Sequence, residues 1–149
     1  MTWAEKTWAE KRIRAYHKGQ PATFVERLIL SFTHPIALLL AMIGLLMLIG
    51  GLWLHAWPWM GAGVAVYLLG LGYGYFRGWP DRKLELYRHG GQASLLDQRI
   101  LEHAHPLHLV FAAVGFVMIG YGLWVQGWLW IVAGIILNFA GHVYTWLIK

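Results

Sequence analysis

Two long stretches of the chain, 28–76 and 103–148, contain no Asp, Glu, Lys or Arg. Each has room for two helices of about 20 residues, the length that crosses a hydrocarbon core of ~30 Å. Each also carries a turn signal near its middle, His55-Ala56-Trp57-Pro58 in the first and Gln126-Gly127 in the second. The pattern predicts an all-α integral membrane protein with four transmembrane helices at 34–54, 58–76, 105–125 and 128–148. A water-soluble bundle would need a polar face on each helix, and these segments have none.

Ahead of the first span, Phe24, Leu28 and Phe32 recur every four residues, the spacing of one helix face. Glu26 and Arg27 fall off that face, so the segment reads as an amphipathic helix lying in the interface. The run T-W-A-E-K at 2–6 repeats at once at 7–11. Both copies fit the T-x-x-E capping pattern and predict the start of a helical turn.

A second regularity spans the chain. Shifted by 71 residues, the sequence aligns Trp8 with Trp79, Tyr16 with Tyr87, Gly19 with Gly90 and His34-Pro35 with His105-Pro106. Gly44, Met47 and Gly51-Leu52-Trp53 meet Gly115, Met118 and Gly122-Leu123-Trp124 without a gap. Trp57, Trp59, Gly63, Gly70 and Tyr73 likewise meet Trp128, Trp130, Gly134, Gly141 and Tyr144. Two tandem units are expected, 1–78 and 79–149, each an amphipathic segment followed by a helical hairpin. A unit with two spans keeps its orientation on duplication, so the repeats should be parallel about an axis along the membrane normal. Gly70 and Gly74 form a small-xxx-small pair suited to close helix packing, within the bundle or against a second protein.

Composition supports the lipid solvent: 58% of residues are hydrophobic and 13% charged, against about 25% charged in soluble domains. All twelve Lys and Arg lie outside the hairpins, in the N-terminal segment, the 77–102 connection or the last position. The positive-inside rule then puts both termini and the connection in the cytoplasm, in a bacterial inner membrane or the endoplasmic reticulum. The net charge of +5 favours anionic headgroups, and no basic face for nucleic acid lies outside the membrane flanks. Trp53, Trp57, Trp59, Trp124, Trp128 and Trp130 cluster at the outer turns, where indoles anchor to the interface. With no cysteine, thiolate chemistry and thiolate metal sites are excluded. The mixed-sign first 30 residues do not read as a cleaved signal or transit peptide.

Seven of the eight histidines map to the cytoplasmic side: His17, His34, His89, His103, His105, His108 and His142. His105 and His108, three apart, share a helix face if the helix has begun by then. His142 lies on the fourth span about six residues, ~9 Å, from its end. It is the ionisable residue deepest in the core, which makes it a functional candidate. Asn138, one turn earlier, is placed to orient its imidazole. Neutral imidazoles supply ligands for iron, zinc or copper, and the candidate metal set is His17, His105, His108 and His142. Structural headgroup-level histidines, and haem or pigment ligation, stand beside that reading, and spacing does not choose among them. Glu102 is the only acid near the cluster, which favours a mainly histidine site over a two-His-one-carboxylate triad.

Two stretches resemble the membrane family of iron-dependent 2-hydroxy-fatty-acid dioxygenases of lipid alpha-oxidation. Tyr16-His17-Lys-Gly-Gln-Pro21 is similar to that family's Tyr-His-x-x-Pro segment, and Asn138-Phe-Ala-Gly141-His142 to its Gln-Phe-x-Gly-His segment. The resemblance implies His17 and His142 as Fe(II) ligands, oxygen as cosubstrate and a lipid substrate. The chain departs from the family after Gly-His, where Val143-Tyr-Thr-Trp replaces an expected acid, and in its tandem duplication. The competing expectation is a non-enzymatic accessory subunit of a larger membrane complex, with or without a haem- or pigment-ligating histidine. A small transporter is a third class, and the absence of acids among the spans speaks against it.

Overall fold

The computed structural model describes residues 7–148; the first T-W-A-E-K run, at 2–6, lies outside them. The described residues form eight helices and no strand: α1 Trp8–His17, α2 Phe24–Ser31, α3 Pro35–Trp53, α4 Trp57–Phe76, α5 Trp79–Arg88, α6 Leu95–Glu102, α7 Pro106–Trp124 and α8 Trp128–Leu147. The bounds of α5 to α8 are those of α1 to α4 plus 71, as in 8–17 and 79–88.

Local chemistry sets these bounds. Thr7 caps α1 by accepting from the Glu10 N–H at 3.3 Å. Thr23 with Glu26, and Ser94 with Asp97, form reciprocal capping boxes at α2 and α6. α3 and α7 open with Pro at their first position, where no backbone N–H is needed. Gly19 and Gly90, at φ 84° and 81°, take the left-handed turn that ends α1 and α5.

Three helices, α3, α7 and α8, are long and apolar enough to cross a membrane, with mean hydropathies of 2.5, 1.8 and 1.4. The fourth expected span corresponds to α4. It has 20 residues and no charge, but five Gly, two Trp and three Tyr keep it out of that apolar group.

α3 packs on α4 and α7 on α8 as hairpins, with glycine where the backbones are closest. A Cβ on Gly44 would sit 2.5 Å from the Tyr67 nitrogen, and one on Gly63 2.7 Å from the Gly44 carbonyl oxygen. Gly70 lies against the Ala37 carbonyl and Gly74 against that of Ser31, so this pair serves packing inside the chain. At the far end His55 and Gln126 occupy the turns at φ 54° and 53°. Each reaches the other hairpin: His55 Nε2 to the Trp124 carbonyl at 2.7 Å, Gln126 Nε2 to that of Trp53 at 3.2 Å. Trp57, Trp59, Trp128 and Trp130 are exposed around them.

At the charged end, α1, α2, α5 and α6 form a layer with its own core of Ala9, Tyr16, Leu30, Leu84, Tyr87 and Leu101. Glu26 was expected on the polar side of α2, yet it is 3% exposed. The Arg12 guanidinium pairs with it, one bond being 3.0 Å, and Lys83 pairs with buried Asp97 at 2.9 Å. Phe24 instead points outward, 65% exposed, as a membrane-facing residue of an interfacial helix would.

Candidate metal centre

α6 ends at Glu102, and His103 is its C-cap, still near helical geometry at φ −66° and ψ −16°. The chain then turns through Ala104 and His105 before α7 begins at Pro106. This turn folds His103 over His108, one turn into α7, with ring centroids 4.4 Å apart. α8 runs back antiparallel and brings His142 to the same point, 4.3 Å from His108 and 4.8 Å from His103. One ligand nitrogen from each ring lies within 4.8 Å of the others. Gly141 makes the approach possible, because a Cβ there would sit 2.8 Å from His108 Cδ2.

Hydrogen bonding fixes which nitrogens are free. His103 Nδ1 meets the Arg99 carbonyl at 3.1 Å. A carbonyl only accepts, so Nδ1 carries the proton and Nε2 keeps its lone pair. His142 Nδ1 likewise donates to Glu102 Oε2 at 3.0 Å. His108 is fully buried, and neither of its ring nitrogens has a partner. An unpaired polar group at such a site costs free energy unless something binds it. Burial, followed by the neighbouring His142, holds His103 below the usual histidine range, which favours the neutral, ligating form.

Glu102 organises the cluster from behind. Its carboxylate is 0% exposed and accepts from His142, from Arg99 at 2.6 Å and from Trp146 Nε1 at 3.1 Å. The Arg99 guanidinium stacks over the Trp146 ring at 4.5 Å. A carboxylate behind a histidine sets its tautomer and raises its basicity as a ligand.

Of the four histidines expected as ligands, the structure brings together His108 and His142. His105 is elsewhere because it precedes the helix: as N-cap of α7, its Nδ1 accepts from the Leu107 N–H at 3.3 Å. Its ring packs edge-on to Trp8 and Tyr144, at 5.2 and 5.7 Å. His17 sits at the end of α1 with Nδ1 on the Arg88 carbonyl at 3.0 Å. Asn138 does not orient His142; its amide donates to the Gly134 carbonyl at 3.0 Å, and Glu102 has the role assigned to it. His103 takes the third place. A signal for it was present in the 71-residue register: Ser31, Phe32, Ala37 and Leu71 stand where Glu102, His103, His108 and His142 do. All four residues of the centre stand at positions where the halves differ.

Comparisons with protein-family models, with curated proteins and with solved structures found no match for this chain.

Proposed function

We propose that this is a four-span membrane protein of two parallel 71-residue units, with both termini cytoplasmic, and that His103, His108 and His142 bind a transition-metal ion. The observation that carries the metal is His108, buried and unpartnered on both nitrogens with two oriented imidazoles converging on it. Three neutral imidazoles suit iron, zinc or copper and leave coordination positions for water or substrate. The common 71-residue offset of the helix bounds and the charge-free length of α4 support the four-span architecture. The 12-to-0 distribution of Lys and Arg supports the orientation.

The activity we propose for the centre is iron(II)-dependent oxidation of a lipid. The centre lies at the charged end of α7 and α8, a depth that a lipid head reaches while its chain stays in the bilayer. The Gly141-His142 pair that carries half of the family resemblance is part of the cluster; His17, which carries the other half, is not. Bound iron(II) would supply oxygen activation, while His103, His108 and His142 hold the ion and Glu102 keeps His142 in the ligating tautomer. The test is elemental analysis of protein purified anaerobically, then oxygen uptake with 2-hydroxypalmitate. One iron per chain, lost in His108→Ala, with uptake in wild type alone, is expected. No metal in folded wild-type protein defeats the centre; a bound metal without oxygen uptake defeats the oxygenase and keeps the centre.

One feature favours an accessory subunit instead. An apolar hollow of ≈ 390 Å³ opens between α3, α4 and α7, walled by Leu48, Tyr67, Phe116 and Ile119 among others, where a partner's helix side chains would fit. Stoichiometric co-purification with larger membrane subunits would select that reading.

A further inference from the structure

The 71-residue register also sets a charged face of the first half beside a different one in the second. α1 presents Lys11, Arg14 and Lys18 at spacings of three and four, one face of a helix. The corresponding residues of α5 and its cap are Arg82, Glu85 and His89, so one face is uniformly basic and its counterpart is mixed. Glu10 is the single acid on α1. Arg12, the fourth cation of the helix, faces Glu26, Gln20 and the Pro21 carbonyl. Lys11, Arg14 and Lys18 line a hollow of ≈ 330 Å³ with Trp8, Arg12, Ala15 and Gln20.

The height of this hollow relative to the spans identifies its ligand. Trp8, one of its walls, is edge-on to His105 with centroids 5.2 Å apart, and His105 is the N-cap from which α7 enters the apolar region. The hollow therefore lies within one ring contact of the boundary where a bilayer places its phosphates. We infer that α1 carries a specific site for the phosphate headgroup of an anionic phospholipid, held by Lys11, Arg14 and Lys18 against the Trp8 indole. Phosphate accepts charge-assisted hydrogen bonds from all three, and basic residues at the membrane surface act together on anionic lipid. The inference uses the membrane setting of α7 and does not depend on the metal.

Native mass spectrometry of the whole protein in neutral detergent tests it, titrating dioleoylphosphatidylglycerol, dioleoylphosphatidylcholine and inorganic phosphate. Wild type should retain the glycerol lipid about tenfold more tightly than the choline lipid and should not retain inorganic phosphate. Lys11→Gln/Arg14→Gln/Lys18→Gln should lose that preference, while Arg77→Gln/Arg82→Gln/Arg88→Gln, which removes the same charge elsewhere, should keep it. If the triple variant fails to fold, Lys11→Gln/Lys18→Gln, confined to two exposed side chains, should still weaken the preference severalfold. Equal retention of the two lipids by wild type overturns the site. So does an equal loss in the control variant, which would reduce the effect to net charge, or competition by inorganic phosphate at the lipid's own concentration. Tighter retention of a soluble polyanion such as RNA would overturn the lipid assignment.

Discussion

Replacing Glu102 by Gln is the most informative single change, because it keeps shape and alters only protons and charge. The carboxylate receives donors from His142, Trp146 and Arg99 and has no access to solvent. A glutamine offers one acceptor oxygen and an NH2 group, so whichever way it turns, the NH2 faces a donor. Turned toward His142, it forces Nδ1 to accept, moves the ring proton to Nε2 and removes the lone pair aimed at His103 and His108. Turned the other way, it confronts the Arg99 guanidinium. Loss of such an outer partner costs 10–100-fold in metal affinity, about 1.4–2.7 kcal/mol. A broken charge-assisted hydrogen bond is worth about 1.5–3 kcal/mol to the fold. Chelator competition on the cobalt-loaded protein measures the first and thermal unfolding in detergent the second. The cobalt absorption bands report the ligand field, which a loss of stability alone would not shift. A Gln variant with wild-type affinity and bands would refute the argument that Glu102 sets the His142 tautomer.

Gly141→Ala should displace His108 and weaken metal binding about tenfold, whereas Gly70→Ala, 71 residues earlier, should lower the unfolding temperature without touching the metal. The measurement is the same chelator competition, and the clash distances of 2.8 Å with His108 and 2.7 Å with the Ala37 carbonyl set the contrast; overpacking of this kind costs ~1–3 kcal/mol. Burial alone would raise the Glu26 carboxyl, but the Arg12 guanidinium and the Thr23 N–H together hold it below its ordinary value of 4.5. Its contribution to stability is then complete above pH 4.5 and falls away as acid takes the pH down through the folded value, a slope that Arg12→Ala should flatten in pH-dependent melting curves. His55→Ala removes the bond to the Trp124 carbonyl at the opposite end of the spans; it should cost about 1 kcal/mol of stability and leave metal content unchanged.

Much of the fold was legible because lipid and backbone impose strong local rules. Long charge-free stretches with central turn signals located the four long helices to within a residue or two, and the 71-residue offset anticipated the shared bounds. α4 is the instructive exception. Gly63 and Gly70, needed for close packing on α3, are among the residues that dilute its hydropathy, so packing and membrane signals compete at those positions. The burial of Glu26 was not legible from its own helix, because its partner Arg12 lies on a different one. His105 stands apart from the cluster for a local reason: spacing of three implies a shared face only inside a helix, and Pro106 starts the helix one residue too late.

The agreement between the halves separates scaffold from chemistry more sharply than any motif does. His34 and His105 match across the register, and both cap a helix through Nδ1 while packing on a Trp and a Tyr. Where the halves differ, the packing differs with them. Gly74 lets α4 close on the Ser31 carbonyl of α2. Its counterpart Thr145 carries a buried side chain, and α8 sits less closely on α6 than α4 does on α2. The space so kept open holds the Glu102 carboxylate, the His142 imidazole and the Trp146 indole. A buried carboxylate is a poor way to stabilise a helix junction that Ser31 and Phe32 close without one, since its desolvation has to be offset by three donors. A fold that keeps the apolar solution in one half and the costly polar one in the other has a use for the second. Copying Ser31, Phe32, Ala37 and Leu71 into the second half, with Thr145→Gly, should therefore give a protein at least as stable as the original and unable to bind metal. Thermal unfolding together with elemental analysis would decide it, and a less stable chain would show that the cluster serves the fold.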